Sequence, residues 1–128
     1  MAQHIGVEAL MQVVVVVTDL ARAKGFYGGL LSLEEIERPE SFTHAGVWYR
    51  AGTTVIQLEV QAQPDPDCRG RFCLWVEDIE SARRRLEEAG VQTEVALPKI
   101  PGVRRFSLRD PDGNRLELQG SDGSIWVA

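Results

Sequence analysis

Histidine is nearly missing from this chain, with only His4 and His44 in 128 residues. Two histidines so placed cannot assemble a three-histidine metal site or a histidine-based triad. No Ser-His-Asp or Cys-His pattern stands out, and no glycine loop built to cradle phosphate. Cysteine is as scarce. Cys68 and Cys73 lie five apart in a segment that reads as extended, where neighbours on one strand do not cross-link easily. Both are expected to be free thiols in a reducing compartment, which makes the cytoplasm the default location. Long apolar runs are absent too. The longest, Val13 to Val17, is far short of the roughly 20 residues a bilayer span needs. Residues 1–10 carry Glu8 and no basic-then-apolar pattern, so no export signal is expected. Fourteen basic residues against nineteen acidic ones give a net charge of −5. A phosphate backbone needs a basic face, so neither nucleic acid nor a membrane is an expected partner.

What is present suits one soluble domain. Hydrophobic residues make up 44% and charged residues 26%, enough at this length to bury a real core. The chain also repeats itself. Val17, Asp19, Leu20 and Ala23 match Val76, Asp78, Ile79 and Ala82 at a constant offset of 59. The stretch Val47 to Val60 parallels Phe106 to Gln119, with one extra residue in the second turn. Two ordered blocks at nearly one offset mark a duplicated module.

Each half reads as strand, helix, then three strands. Val13 to Val17 is β-branched and too short for a buried helix. Asp19 and Asp78 are placed to cap the helices that follow, since a carboxylate accepts orphan backbone N–H groups. The first helix, Leu20 to about Leu31, is expected to bury Phe26, Tyr27 and Leu30 and to fray at Gly28-Gly29. The second sets Ile79, Ala82, Leu86 and Ala89 on one face and stops at Gly90. Shorter strands follow around Ile36, Val47 to Arg50 and Thr54 to Val60, then Gln92 to Ala96, Arg104 to Arg109 and Arg115 to Gln119. Asp110 to Asn114, "DPDGN", is a hairpin turn. The organisation is one α+β domain of two βαβββ modules, about 10–60 and 71–120. A Pro-rich linker spans 61–70 and a tail 121–128. In the tail, Ile125, Trp126 and Val127 need an apolar surface to lie on.

The strand-Asp-Leu helix entry, Phe26-Tyr27, "PGVRRF" and the closing "DPDGNRLEL" resemble the vicinal oxygen chelate superfamily, which takes in glyoxalases, bleomycin resistance proteins and extradiol dioxygenases. The resemblance runs from about Leu10 to Gln119. It implies a mixed sheet curled around one cavity, in which enzymes of the superfamily hold a divalent metal on His and Glu ligands from the first and last strands of each module. Carried over, those positions are Gln12, Gln57, Arg71 and Glu117. Strand alternation agrees independently: Val13, Val15 and Val17, Phe72, Leu74 and Val76, and Leu116 and Leu118 form apolar sets, which leaves Gln12, Arg71 and Glu117 on the opposite faces.

A glutamine carbonyl is a weak donor, and an arginine stays cationic at any working pH and repels a metal. The expectation is therefore a site without metal or other cofactor. Arg71 stands in the metal's place, paired with Glu117, and Gln12 and Gln57 donate or accept around them. This quartet is either a satisfied polar cluster or a small-molecule pocket in which Arg71 anchors an anion or carbonyl. Cys73 and Trp75 follow Arg71 on the same face, as filler or as a ligand platform, and Trp48 is equally open. Counting back from the hairpin puts Arg105, Ser107 and Arg109 on the cavity side, although solvated arginine is the plainer reading of Arg104 and Arg105.

Four functions fit to different degrees. The first is a metal-free protein binding a small molecule, as in the antibiotic-sequestering branch of the superfamily. The second is a metal-dependent lyase, thiol transferase or dioxygenase, which the ligand positions contradict. The third is a metal-free enzyme with Glu117 as general base. The fourth is an assembly role. The resemblance further implies a homodimer, with the cavity built within one chain or across two.

Overall fold

The computed structural model describes residues 4–66 and 71–121, so Cys68 and the tail residues Ile125, Trp126 and Val127 lie outside the described residues. The order of elements is β1 (Gln12–Val17), α1 (Leu20–Lys24), β2 (Glu34–Ile36), β3 (Gly46–Ala51), β4 (Thr54–Val60), β5 (Arg71–Trp75), α2 (Ile79–Glu88), β6 (Glu94–Val95), β7 (Val103–Arg109) and β8 (Arg115–Ser121). Both aspartates cap as expected. Asp19 accepts from the Arg22 amide and Asp78 from the Ser81 amide, each at 3.0 Å. The second helix ends on Gly90, whose φ of +87° favours glycine. Ala89, expected on the buried face, is exposed, because it already forms the cap.

The first helix differs from expectation. It does not fray at Gly28-Gly29. Instead α1 runs on as a π-helical turn over Gly25–Leu30, with the Leu31 amide donating to the Phe26 carbonyl at 2.9 Å. The wider turn lets the adjacent Phe26 and Tyr27 both bury, while Leu30 is only partly covered. Gly28 permits it: a Cβ there would stand 3.0 Å from the Tyr49 hydroxyl of β3.

The duplication is carried into the topology. One sheet has the order β1-β4-β3-β2 and the other β5-β8-β7-β6. In each, the first strand lies parallel to the last and the remaining pairs are antiparallel. Strand alternation sorts the faces. Val15, Val17, Ile56 and Leu58 of the first sheet and Phe106, Leu108, Leu116 and Leu118 of the second join Phe26, Tyr27, Ile79 and Leu86 in one core. The apolar faces of both sheets thus share one core with the helices, and the polar residues that alternate with them lie on the opposite faces.

The "DPDGN" turn joins the modules. Asp110 is buried and accepts four hydrogen bonds: Tyr27 Oη at 2.7 Å, and the Asp112 amide, the Asn114 amide and Asn114 Nδ2 at 2.9 Å. Asp112 accepts from the Thr18 amide, Thr18 Oγ1 and Arg22 Nη2, and Asn114 Nδ2 donates to the Val16 carbonyl at 2.8 Å. A buried carboxylate so fully satisfied stabilises where an unpartnered one would not. Burial first, then the Asp110 charge and hydrogen bond, push the Tyr27 hydroxyl far above its ordinary pKa. Among the described residues no helix is long and apolar enough to cross a membrane.

Candidate functional site

Residues opposite one another on neighbouring strands share a face, so register alone draws the open face of the second sheet in three rows. Arg71, Arg115 and Arg109 form the first. Cys73, Glu117, Ser107 and Glu94 form the second, and Trp75, Gln119 and Arg105 the third. Four arginines thus face two glutamates. The matching rows of the first sheet are Gln12, Val55, Arg50 and Glu34, then Val14, Gln57, Trp48 and Ile36, then Val16, Glu59 and Gly46. That face carries one arginine and two glutamates.

Glu117 is the centre of the second face. It is buried, and each of its oxygens meets a different guanidinium: Oε1 is 3.1 Å from Arg105 Nη1 and Oε2 is 3.6 Å from Arg71 Nε. The two arginines are held differently. Arg105 has 15% of its side chain exposed and Arg71 has 54%. Arg105 Nη2 also donates to the Pro98 carbonyl, while its Nε is buried without a hydrogen-bond partner. Arg105 is therefore not the solvated side chain of the plainer sequence reading: the cross-strand carboxylate draws it down onto the sheet. Arg104 points the other way, to Glu80 of α2.

Cys73 lies directly beside Glu117 in register. As a residue it is exposed. Burial, then the Glu117 charge, raise the thiol pKa to about 11, with Arg105 opposing. Cys73 and Trp75 also line a cavity of about 720 Å³ that runs between the modules past β5, walled by Leu33, Leu74, Leu86 and Leu118. Its size falls within the range of small-molecule sites.

Arg71, Glu117, Arg105, Ser107, Cys73 and Trp75 are thus brought onto one surface. Gln12 and Gln57 are not: they belong to the other sheet, and among the described residues no hydrogen bond or ion pair joins them to Arg71 or Glu117. The expected quartet is split because Gln12 and Gln57 stand on the first sheet and Arg71 and Glu117 on the second. Gln57 is buried beside Val14 and Trp48; Gln12 is exposed. Sequence reasoning missed Arg115 and Glu94 on the second face, though strand parity could have found both. It also read "DPDGN" only as a turn and missed its link to Thr18 and Tyr27.

A divalent metal of the kind the resemblance implies does not fit these residues. Its place beside Glu117 is flanked by two guanidiniums, and cations repel cations. Among the described residues no three His, Cys, Asp or Glu side chains converge to hold one.

Known proteins place the chain. The model of the Glyoxalase/Bleomycin resistance protein/Dioxygenase superfamily matches residues 9–118. No curated protein matches the chain in sequence. Among solved structures it resembles a glyoxalase family protein from Bacillus anthracis, with 26% identity, a TM-score of 0.84 and coverage of 95% of this chain and 100% of that one. It also shares the fold of TnmS3, an antibiotic binding protein from Streptomyces sp. CB03234 (20% identity, TM-score 0.71, covering 93% and 100%). The same holds for FosX, a fosfomycin resistance protein from Listeria monocytogenes (16% identity, TM-score 0.71, covering 95% and 96%). With a family model spanning nearly its whole length and both modules built alike, the chain belongs to the glyoxalase/bleomycin resistance protein/dioxygenase superfamily.

Proposed function

We propose that this protein binds a small molecule without metal, at the open face of its second sheet. The observation that carries the reading is the double ion pair on Glu117: both carboxylate oxygens are already engaged by Arg71 and Arg105. The same pair weighs against Glu117 as a general base, because both of its oxygens already serve the two arginines and hold Arg105 in the fold. That a member of this fold is an antibiotic binding protein is consistent with a binding role, though fold alone does not assign one.

The reading extends to assembly. Each polar face stands open on a single chain, with Val14 52% and Trp75 50% exposed. The first face carries an excess of acid and the second an excess of base. A second copy of the chain covers both at once, laying its first-module face over its partner's second and bringing Gln12 and Gln57 opposite Arg71 and Glu117. The protein is then a homodimer of single-domain chains, with modules at about 10–60 and 71–120, and cytoplasmic.

Elemental analysis of protein purified without chelator, followed by a thermal-shift screen of small molecules, tests the binding reading. The expected result is substoichiometric metal, a Tm indifferent to chelator, and a Tm raised by at least one small molecule through mass action. Stoichiometric zinc, nickel, manganese or iron overturns it.

A further inference from the structure

We infer that the ligand of this face is an α-amino acid with an apolar side chain, bound as its zwitterion where β7 outruns β6. The inference rests on the binding reading above and names the chemistry of the molecule bound. β6 pairs only with Phe106 and Ser107, so among the described residues the next stretch of β7, Leu108 and Arg109, has no strand on that side. A cavity of about 590 Å³ lies there, within the range of small-molecule sites. Its first ground is charge. Of the ionic side chains that line the cavity, two are spent on joining the modules: Arg22 donates to Asp112 and Thr18, and Asp110 accepts from Tyr27 and Asn114. The other three, Glu94, Arg109 and Arg115, are in no ion pair among the described residues. Arg109 gives one hydrogen bond, to the Gly113 carbonyl.

Arg109 and Arg115 stand directly opposite each other on neighbouring strands. Like charges so placed repel, and a carboxylate between them relieves the repulsion. The same face already holds that arrangement once, in Glu117 between Arg71 and Arg105. Glu94 is opposite Ser107 in register, and so one step of about 6.6 Å along β7 from Arg109. It suits an ammonium. An anion alone would leave Glu94 facing it, and a cation alone would meet both arginines. The second ground is Ser107, which lies between the two subsites. It is 5% exposed and lines the cavity, and its hydroxyl has no hydrogen-bond partner among the described residues. A buried hydroxyl without a partner costs stability, and the carboxylate of a zwitterion supplies the acceptor. The remaining wall is apolar, with Phe26 and Leu30 from the first module and Val91, Leu108 and Pro111 from the second. An apolar side chain lies there.

The test is calorimetric titration of the full chain at pH 6.5, where α-amines stay protonated. The probes are L-phenylalanine, L-leucine, N-acetyl-L-phenylalanine, L-phenylalaninamide and glycine. The expected result is that phenylalanine or leucine binds at least about tenfold more tightly than glycine and, for phenylalanine, than the acetylated and amidated forms. Arg115→Gln removes the preference for phenylalanine over its amide, and Glu94→Gln the preference over the acetylated form. Each leaves the other preference in place, which a merely unfolded variant would not. Equal binding of phenylalanine and either blocked form overturns the ligand class. So do glycine binding as tightly as the larger amino acids, no change in either variant, and no binding of phenylalanine or leucine. Failure of the underlying reading shows differently, as stoichiometric metal in the untreated protein.

Discussion

At the scale of the residue, the same carboxylate supports two arginines whose worth to the fold differs. Arg105 and Glu117 are 15% and 10% exposed, so removing one leaves the other poorly solvated and unpaired. Arg71 is mostly in water and its ion pair is screened. Glu117→Ala should therefore destabilise by about 2–3 kcal/mol, and Arg71→Ala by less than about 1 kcal/mol, as read from urea denaturation midpoints. Similar losses in the two variants would show that Arg105 is not held by Glu117. The sequence places both arginines on the open face by alternation. It cannot tell the buried from the exposed one, because that depends on which strand lies across from each: Arg105 sits on an inner strand, between β8 and β6, and Arg71 on an edge.

Cys73 makes a second prediction at this scale. With its pKa raised to about 11 by burial and the Glu117 charge, little thiolate exists at pH 8. In a Cys68→Ser background, iodoacetamide should modify Cys73 far more slowly than a free thiol and accelerate as pH climbs toward 11. In Glu117→Gln the rate at pH 8 should rise, since one of the two raising causes is gone. A rate at pH 8 equal to that of free cysteine would exclude this picture.

At the scale of the element, the helix entries were the most legible feature of the chain. Position alone marks Asp19 and Asp78 as caps, and both accept the amide three residues on. Asp78→Ala should lower stability by about 1 kcal/mol, measured by chemical denaturation, with Asp78→Asn close to the parent. What position could not give was the course of the first helix. Two adjacent glycines normally argue for fraying. Here Gly28 is kept because Tyr49 leaves no room for a Cβ, and the segment stays helical by widening. That choice is made by a tyrosine twenty-one residues away on β3 and leaves no mark in the local sequence.

At the scale of the molecule, the duplication was visible at once, and with it two like sheets. The way the halves meet was not. Alternation says which side of a strand is apolar. It does not say whether two apolar sides cover each other or each lies under its own helix with the polar sides enclosing a cleft. Contacts such as Tyr27 to Asp110, 83 residues apart, join the modules, and no local pattern predicts them. Two measurements follow. The Tyr27 hydroxyl is raised in the folded state, so the unfolded chain ionises first. Stability is whole below the ordinary tyrosine pKa near 10 and falls as pH rises beyond it. Tyr27→Phe should cost about 1–2 kcal/mol at neutral pH and flatten that alkaline loss in a denaturation series, apart from the share of Tyr49, which burial and Glu35 also raise. For assembly, light scattering should give twice the chain mass, and Val14→Glu paired with Trp75→Glu should give monomers. A parent protein that is monomeric at micromolar concentration would remove the proposed second copy.

The reach of Asn114 has a consequence for how this chain would fail. Among the described residues, both sheets end in strands with a neighbour on one side only. At one end β2 and β6, three and two residues long, offer too little backbone to template anything. At the other, β1 is an unbroken run of five valines with the make-up of a fibre-forming segment, and one of its outward carbonyls, that of Val16, is stoppered by the Asn114 amide. A molecule whose second half had let go would present that strand bare, and polymerisation would start there.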